Sequence, residues 1–339
     1  MRRPNVSRPL LAFAALAVVA SGLTLAACGD DDDDGGNLET VTLMLNWTPN
    51  TQHSGIYLAV EKGYYKDAGL DVKIVEPAAG GVEQVIATGK AEFGISVQEA
   101  VVPARAEGVP IVSIAAILQH NDSSLMALAK SGIKRPKDLE GKTYGGFGGP
   151  LETEIVSRLV ACDGGDPKKV KFAEVGNVDY LVGMEQGQYD FVWVFEGWDV
   201  LRARDVEGKA VSTVLFKDYL KCIPDWYTPV FITSEGFAKK SPETVKKFME
   251  ATAKGYDLAG KDGAAAAAAL LKASPESDKK LVEASAKYHV GKYVDSGRAW
   301  GAQDRATWDA FVKFLKEAKL LEKEIDVTAA FTNDYLPKK

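Results

Sequence analysis

Aromatic side chains cluster where the strands of this sequence are predicted to end. They occur in three short stretches: Asn46-Trp47, Glu196-Gly197-Trp198 and Asp225-Trp226-Tyr227. Several aromatic rings facing one cleft can hold a planar heteroaromatic ligand by stacking, although any one of them alone is more often core. The Glu196 carboxylate could accept hydrogen bonds from an aminopyrimidine edge, or it could be a surface charge. The candidate ligand contacts are therefore Asn46, Trp47, Glu196, Trp198, Trp226 and Tyr227.

A glycine-rich loop joins another predicted strand to a helix. Residues 145–149 hold four glycines and precede Pro150, a residue suited to the first helical position. Backbone N–H groups near a helix N-terminus can hold an anion or a carbonyl oxygen; the alternative is a tight strand-to-helix turn. We expect four residues at this loop to contact the ligand: Tyr144, Gly146, Gly148 and Gly149. We expect a further contact from Gln98, which follows an earlier predicted strand.

Other chemistries lack the residues that they require. The chain has three histidines, His53, His120 and His289, and no HExxH, CxxC or paired-histidine spacing, so we expect no metal site. It has no GxSxG motif, and Pro136 stands where a P-loop ending in Gly141-Lys142-Thr143 would need glycine. The net charge of −6, without a basic block, argues against a nucleic-acid partner. No cofactor is predicted.

Residues 1–28 have the organisation of a secretory signal. Arginines precede the apolar stretch 10–20, and Leu25-Ala26-Ala27-Cys28 resembles a bacterial lipobox. A plain membrane anchor is the alternative, but the apolar stretch is short for the roughly 20 residues of a span. Residues 29–38 include five consecutive aspartates, which predicts a solvated tether. We therefore expect a protein lipidated at Cys28 and held outside the cytoplasm on the cell membrane.

From residue 39 onward, β-rich runs alternate with helical patterns, which predicts an α/β fold with parallel sheets. Two lobes, with crossings near residues 127 and 230, would enclose a cleft at the carboxyl ends of the strands, where ligands bind in such folds. We assign 39–127 and 231–339 to the first lobe and 128–230 to the second, and expect a monomer. Strands are predicted at 41–45, 71–75, 93–97, 111–118, 125–129, 142–144, 170–173, 191–195 and 230–233, and helices at 53–62, 82–88, 150–162, 179–186, 242–259, 264–271 and 304–318.

Two cysteines remain after Cys28. Cys162 and Cys222 both fall in the predicted second lobe, and outside the cytoplasm such a pair can oxidise. Two separate buried thiols would look the same in the sequence, so both alternatives stay open.

Several motifs resemble the NMT1/THI5-like family, with a similarity that spans roughly residues 42–259. They are Leu45-Asn46-Trp47-Thr48-Pro49, His53, Gly63-Tyr64-Tyr65 to Gly69-Leu70-Asp71-Val72, Gly94 and Phe147-Gly148. The family includes extracytoplasmic proteins that deliver a formylaminopyrimidine precursor of thiamine to ABC importers. It also includes synthases that build the thiamine pyrimidine from their own histidine and pyridoxal phosphate. The resemblance implies a two-lobed type II periplasmic-binding fold.

The same resemblance implies roles for individual residues. Asn46, Trp47, Glu196 and the glycine loop match positions that resemble ligand contacts across the family. His53 could face the cleft from the start of a helix, or it could pack at the helix end.

The synthase alternative depends on residues that this chain replaces. In the synthases a lysine, and a histidine four residues later, follow the third strand; here Ser96 and Ala100 align with them. Serine cannot form the Schiff base, and alanine has no imidazole. The synthases also carry a cysteine-rich iron motif, where this chain reads Cys222-Ile223-Pro224-Asp225-Trp226-Tyr227-Thr228-Pro229. We therefore expect a binding protein that catalyses no reaction.

The expected function is that of a lipid-anchored solute-binding protein of an ABC importer. Two lobes would close around a small heterocycle, a thiamine-pyrimidine precursor, and the closed form would dock on the permease and ATPase complex. Riboflavin, a sulfonate and nitrate are alternative ligands. A strongly anionic ligand would favour a cleft arginine, for which Arg105 and Arg158 are the candidates.

Overall fold

The computed structural model of the chain describes residues 38–77 and 81–338. The predicted signal segment with Cys28, and the predicted tether up to residue 37, lie outside the described residues. None of the helices in the described part has the length and apolar character needed to span a bilayer.

Within the described ranges, ten strands, β1 to β10 in chain order, form two five-stranded sheets. The first lobe holds β1 (Glu39–Met44), β2 (Leu70–Val75), β3 (Phe93–Ser96), β4 (Ile111–Ala116) and β10 (Val230–Ser234), in the order β2-β1-β3-β10-β4. β1 pairs parallel with β2 and β3, whereas β10 lies antiparallel between β3 and β4. Every residue of β3, β4 and β10 is buried, as expected for central strands covered on both faces.

The second lobe has the same arrangement. It holds β5 (Ser123–Leu128), β6 (Thr143–Gly146), β7 (Lys171–Glu174), β8 (Phe191–Phe195) and β9 (Val211–Leu215), in the order β7-β6-β8-β5-β9. β6 pairs parallel with β7 and β8, and β5 lies antiparallel between β8 and β9. The chain is thus an α/β protein of two lobes with the type II periplasmic-binding fold.

One strand in each sheet runs against the other four, and each follows a crossing between the lobes. β5 follows the crossing at residues 117–122, and β10 follows the crossing at 216–229. The parallel pairing predicted from the β-α-β alternation is confirmed for the other strands. β5 and β10 differ because each is entered from the other lobe rather than over a helix on the same sheet. Residues 123–127 also pair within the second sheet, although we expected the first lobe to extend to 127.

Asp225 ties the two crossings to each other. Its Oδ2 lies 2.6 Å from Nδ1 of His120, and its Oδ1 accepts a hydrogen bond of 3.0 Å from the N–H of Asn121. Nε2 of His120 lies 3.3 Å from the carboxylate of Asp295. The two crossings are therefore tied to each other by the Asp225 carboxylate, and His120 also contacts the segment that follows the helix Lys279–His289.

In the described part of the chain twelve α-helices cover the sheets, and α1 and α8 cross where each has a glycine. A Cβ atom on Gly255 of α8 would lie 2.0 Å from the carbonyl oxygen of Gly55 of α1, so glycine at this crossing lets the two backbones touch. The helices are α1 (Ser54–Glu61), α2 (Tyr64–Asp67), α3 (Val82–Ala87), α4 (Gln98–Ala106), α5 (Pro150–Cys162), α6 (Tyr180–Glu185), α7 (Glu235–Lys240), α8 (Pro242–Ala259), α9 (Gly263–Ala273), α10 (Lys279–His289), α11 (Arg305–Glu317) and α12 (Val327–Ala330).

Cys162 and Cys222 are joined by a disulfide. Cys162 is the last residue of α5, and Cys222 lies in the second crossing, 60 residues later in the chain. Of the two alternatives left open by the sequence, the structure has the bonded pair. The disulfide fixes the start of the return crossing to the body of the second lobe.

Candidate functional site

The first strand leads into a hydrogen-bonded pair of polar side chains. Asn46 lies two residues after β1, and its Oδ1 is 3.0 Å from Nε2 of His53. His53 ends the short 3-10 helix Thr51–His53 and is fully buried, whereas Trp47 leaves 46% of its surface exposed. Trp47 is thus available to stack on a ligand. Of the two roles considered for His53, facing the cleft or packing at the helix end, the buried imidazole has the second and is the hydrogen-bond partner of Asn46.

The hydrogen bonds of His53 define its protonation. Burial lowers the pKa of His53 to about 3, so the imidazole is neutral at physiological pH. The backbone N–H of Asn50 donates to Nδ1 at 3.3 Å, which makes Nδ1 the unprotonated nitrogen. Nε2 therefore carries the hydrogen and donates it to Oδ1 of Asn46. The Nδ2 amide is then the group that Asn46 can offer to a ligand.

Glu196 provides a carboxylate at the end of a strand in the other lobe. It follows β8 directly and begins a π-helical turn, a rare form that is frequent at functional sites. Burial raises the pKa of Glu196, and the nearby hydroxyls of Ser124 and Thr213 partly offset this effect. Its Oε1 is buried and makes no hydrogen bond of good geometry within the described part of the chain, although the Ser124 and Thr213 hydroxyls lie near the carboxylate. A buried oxygen of this kind is suited to accept a hydrogen bond from a ligand.

Helix α10 brings these two strand ends into one neighbourhood. The hydroxyl of Ser285 donates to the carbonyl oxygen of Gly197, next to Glu196, and also bonds to the hydroxyl of Thr51, two residues before His53. Tyr288 donates to Oδ1 of Asp122 at 2.5 Å, and Oδ2 of Asp122 accepts from the N–H of Gly197 at 2.8 Å. The two lobes therefore meet at α10 and the first crossing.

Unpartnered polar atoms concentrate around the same crossing. Buried groups that lack a hydrogen-bond partner are costly, and in a binding protein they mark positions where a ligand or water completes the network. Of the nine such atoms within residues 38–77 and 81–338, five follow β3 and β4 or begin β5: Nε2 of Gln98, Oε1 of Gln119, Nδ2 of Asn121 and the hydroxyls of Ser123 and Ser124. Gln98, predicted as a ligand contact, is thus placed with a free donor; its Oε1 accepts from the N–H of Tyr227 at 2.8 Å.

The glycine-rich loop carries its own carboxylate. Glu152, in the first turn of α5, accepts hydrogen bonds from the N–H of Phe147 (3.2 Å), the N–H of Gly149 (3.0 Å) and the hydroxyl of Tyr144 (2.9 Å). Glu152 therefore occupies the amides of Phe147 and Gly149 and would repel an anion there. The other ligand contacts expected from this loop stay a prediction. Gly148 has a φ of +81°, as a tight turn requires, and a Cβ on buried Gly146 would overlap the Tyr144 ring.

The aromatic candidates divide into two groups. Trp226 is fully buried, stacks on Phe311 with ring centroids 5.2 Å apart, and donates to Oε2 of Glu99 at 3.0 Å. Tyr227 is buried, and its hydroxyl accepts from the N–H of Asp304 at 2.9 Å. Both were expected to contact the ligand, and the structure corrects this by placing them in the core. Trp198 is only partly buried and packs against the core of the first lobe, so it remains a candidate.

The two arginines considered for an anionic ligand are paired elsewhere. Arg105 donates to Oε1 of Glu235 at 2.9 Å. Arg158 bonds to Oε1 of Glu154 at 2.6 Å and lies over the ring of Phe314. Neither guanidinium is free to bind a sulfonate or nitrate, so the strand ends offer carboxylates and amides instead.

Comparison with known protein families gives one match over most of the two lobes. The model of the family described as NMT1/THI5 like matches residues 50–266, nearly two thirds of the chain. The chain belongs to the NMT1/THI5-like family. That match covers the start of α1, both crossings and the whole of the second lobe, the parts that position Glu196 and the glycine loop.

Relatives in the NMT1/THI5-like family have two kinds of name. A formylaminopyrimidine-binding protein from Halalkalibacterium halodurans is 29% identical over 330 residues, which are 95% of this chain and 98% of that protein. A 4-amino-5-hydroxymethyl-2-methylpyrimidine phosphate synthase from Saccharomyces cerevisiae is also 29% identical, but over 232 residues, 65% of this chain and 66% of the synthase.

Solved structures show the same fold at low identity. The periplasmic aliphatic sulphonate binding protein from Escherichia coli superimposes with a TM-score of 0.66 at 14% identity, covering 89% of this chain and 94% of that one. This likeness establishes the two-lobed architecture.

Several residues of the site escaped the sequence analysis of this NMT1/THI5-like chain. Asp122 and the α10 side chains join the lobes, yet none of them was among the predicted site residues. A signal for α10 exists: Asp278 caps the helix, and Leu281, Val282, Ser285, Ala286 and His289 form its buried face. The polar members of that face, Ser285 and His289, are the ones that reach the second lobe.

Proposed function

We propose that this chain is the extracytoplasmic solute-binding protein of an ABC importer for a formylaminopyrimidine-like precursor of thiamine. The observation that carries the proposal is the complementary pair at the strand ends: an amide donor on Asn46 in one lobe and an unpartnered carboxylate oxygen on Glu196 in the other. The name and the nearly complete overlap of the Halalkalibacterium relative support it.

An aminopyrimidine presents the groups that this pair can bind. Its exocyclic amine donates hydrogen bonds, its ring nitrogens accept them, and its flat ring stacks on indole. Asn46 would donate to an acceptor on the ligand, and Glu196 would accept from the amine. Trp47 or Trp198 would stack on the ring, while Gln98 supplies one further buried donor.

The charges near the site favour this ligand over an anion. Glu152 fills the helix N-terminus at the glycine loop, and Asp122 and Glu196 lie at the junction of the lobes. Sulfonate and nitrate would meet carboxylates there, because Arg105 and Arg158 are engaged in other ion pairs. The riboflavin ring carries no charge, so this charge argument does not distinguish riboflavin from a pyrimidine, and the ligand panel below does.

We further propose that the chain binds without catalysis. Ser96, aligned with the synthase lysine, ends β3, and its hydroxyl donates to Glu83; Ala100, aligned with the synthase histidine, lies in α4. Neither side chain can form a Schiff base or donate an imidazole to a reaction. Absorbance of a pyridoxal phosphate aldimine on the purified protein would contradict this part of the proposal.

The remaining parts of the proposal concern assembly. The protein would be lipidated at Cys28, tethered by residues 29–38 and monomeric, and its ligand-bound form would dock on a permease and ATPase complex. Mass spectrometry of the mature N-terminus tests the lipid. Chromatography with light scattering tests the monomer.

A thermal-shift panel tests the ligand class. The purified full-length protein is heated with formylaminopyrimidine, hydroxymethylpyrimidine, thiamine, riboflavin, pyridoxal phosphate, taurine or nitrate. A ligand at 100 times its Kd should stabilise the protein by about 2.7 kcal/mol, which is visible as a higher midpoint. The proposal expects the shift with formylaminopyrimidine. A shift with taurine, nitrate or riboflavin alone would keep the transport role and overturn the ligand.

A further inference from the structure

His53 is a fully buried imidazole that the proposed binding mode does not use directly. It accepts a hydrogen bond from the backbone of Asn50 through Nδ1 and donates through Nε2 to Asn46. Both ring nitrogens are therefore committed, and the ring has one tautomer that fits its surroundings. A histidine held in this way orients its neighbour, as a residue behind a metal ligand orients that ligand.

The orientation matters because an asparagine amide has two different ends. Oδ1 is an acceptor and Nδ2 is a donor, and rotation by about 180° exchanges them at nearly the same positions. In this structure Oδ1 of Asn46 is bonded to His53, so rotation would place Nδ2 against the Nε2–H of the imidazole, donor against donor. The imidazole thus opposes the rotated amide.

We propose that His53 is a positioning residue that makes Asn46 a donor-only contact and so selects ligands with an acceptor atom at the end of β1. The acceptor would be a ring nitrogen or a carbonyl oxygen of the heterocycle. A ligand that carries an N–H at that position is rejected, because it would meet a second donor. The inference rests on the proposed function for the identity of the ligand.

A purely structural role for His53 makes different predictions. The imidazole caps the 3-10 helix Thr51–His53 and fills space under α1, so its removal could lower stability without affecting selection. In that case the loss of affinity would be the same whether or not Asn46 is present. If His53 acts through Asn46, the loss of affinity caused by removing His53 should largely disappear once Asn46 has been removed.

A double-mutant cycle separates these roles. Affinity for formylaminopyrimidine is measured by titration calorimetry for wild type, His53→Leu, Asn46→Ala and the double variant. His53→Leu alone should weaken binding about tenfold, as outer-shell partners of a ligating group do. In the Asn46→Ala background it should change affinity less than twofold. Equal losses in both backgrounds would overturn the proposal.

Two controls keep the cycle interpretable. His53→Gln retains a donor and an acceptor on one side chain, so it should preserve affinity within about threefold, whereas a structural role would make it resemble His53→Leu. Nitrogen-15 NMR of wild type needs no variant and no ligand: His53 should be protonated at Nε2 from pH 5 to 8. An Nδ1–H tautomer, or titration near pH 6.5, would refute the positioning role. If wild type fails to bind the pyrimidine, the proposed function fails and the NMR result still decides the tautomer.

Discussion

The backbone of Gly197 lies against the imidazole of His289, so closely that no side chain fits between them. A Cβ atom at residue 197 would lie 2.5 Å from Cε1 of His289 and 2.9 Å from Cδ1 of Tyr288. Carbon atoms in contact are normally about 3.5–4.0 Å apart. Because Gly197 belongs to the second lobe and His289 to α10, this contact sets how closely the lobes approach.

Gly197→Ala is therefore expected to impair closure of the lobes. The methyl group would push α10 away from the π-helical turn, and the ligand would lose contacts from one lobe. We expect formylaminopyrimidine to bind at least tenfold more weakly by titration calorimetry, while circular dichroism shows that the variant is still folded.

Gly236→Ala serves as the matched control. Gly236 is an exposed glycine of α7, and a Cβ there would meet only the Ser234 hydroxyl, at 3.9 Å. This variant should bind normally and gain roughly 0.5–1 kcal/mol of stability, as helical Gly→Ala changes do. Equal affinities for the two variants would show that the contact with His289 does not control closure.

The pair of His120 and Asp225 predicts pH-dependent stability. The hydrogen bond that His120 donates to the Asp225 carboxylate raises the pKa of His120 above its ordinary value of 6.5. Because the folded protein binds this proton more tightly than the unfolded chain, the protonated pair stabilises the fold in full at pH values below the pKa of the unfolded chain. The stabilisation is lost as the pH rises through the pKa of the folded protein. Wild type should therefore exceed His120→Ala in melting temperature most clearly near pH 5.5 and least near pH 9. A difference that grows toward pH 9 would contradict the pairing.

Glu99 should contribute a second pH dependence. Burial raises its pKa to about 7, with Trp226 and Thr228 as hydrogen-bond donors and Glu83 as a nearby negative charge. The folded protein thus favours the protonated acid, and stability falls as pH rises from about 4.5 through 7. Glu99→Gln, which mimics the protonated form, should match wild type near pH 5 and melt at a higher temperature at pH 8. A lower melting temperature for the variant at pH 8 would refute this assignment.

The disulfide between Cys162 and Cys222 should account for a measurable part of the stability. It closes a loop of 60 residues, for which loop-closure entropy gives about 4 kcal/mol. The double variant with serine at both positions should unfold at a lower urea concentration by about that free energy. A reductant should lower the free energy of unfolding of wild type by a similar amount and leave that of the variant unchanged. Coincident urea curves would show that the bond is absent or without effect.

The regular elements were predictable because their boundaries have local causes. Pro150 and Pro242 occupy first helical positions, and the bounds of α5 and α8 agree with the sequence predictions at both ends. β8 was likewise predicted at its observed bounds. By contrast, α4, α7, α10 and β9 were not predicted, and α10 has only a narrow buried face to reveal it.

The site was predictable in composition and less so in geometry. Asn46, Trp47 and Glu196 lie at strand ends as expected, but Trp226 looked the same in sequence and belongs to the core. Only tertiary packing decides which aromatic side chains face the cleft. The occupied glycine loop had a local signal, since Glu152 stands three residues after Gly149 in the spacing of a capping box.

The measurement that tests the central claim most directly is titration calorimetry of formylaminopyrimidine into wild type, Glu196→Gln and the control Glu185→Gln. Glu185 is a surface carboxylate of α6 paired with Lys209, away from the strand ends. We predict tight binding to wild type and to the control, and a loss of roughly tenfold to a hundredfold for Glu196→Gln, the effect of a charged hydrogen bond. Equal affinity for all three proteins, or no binding to wild type, would contradict the account.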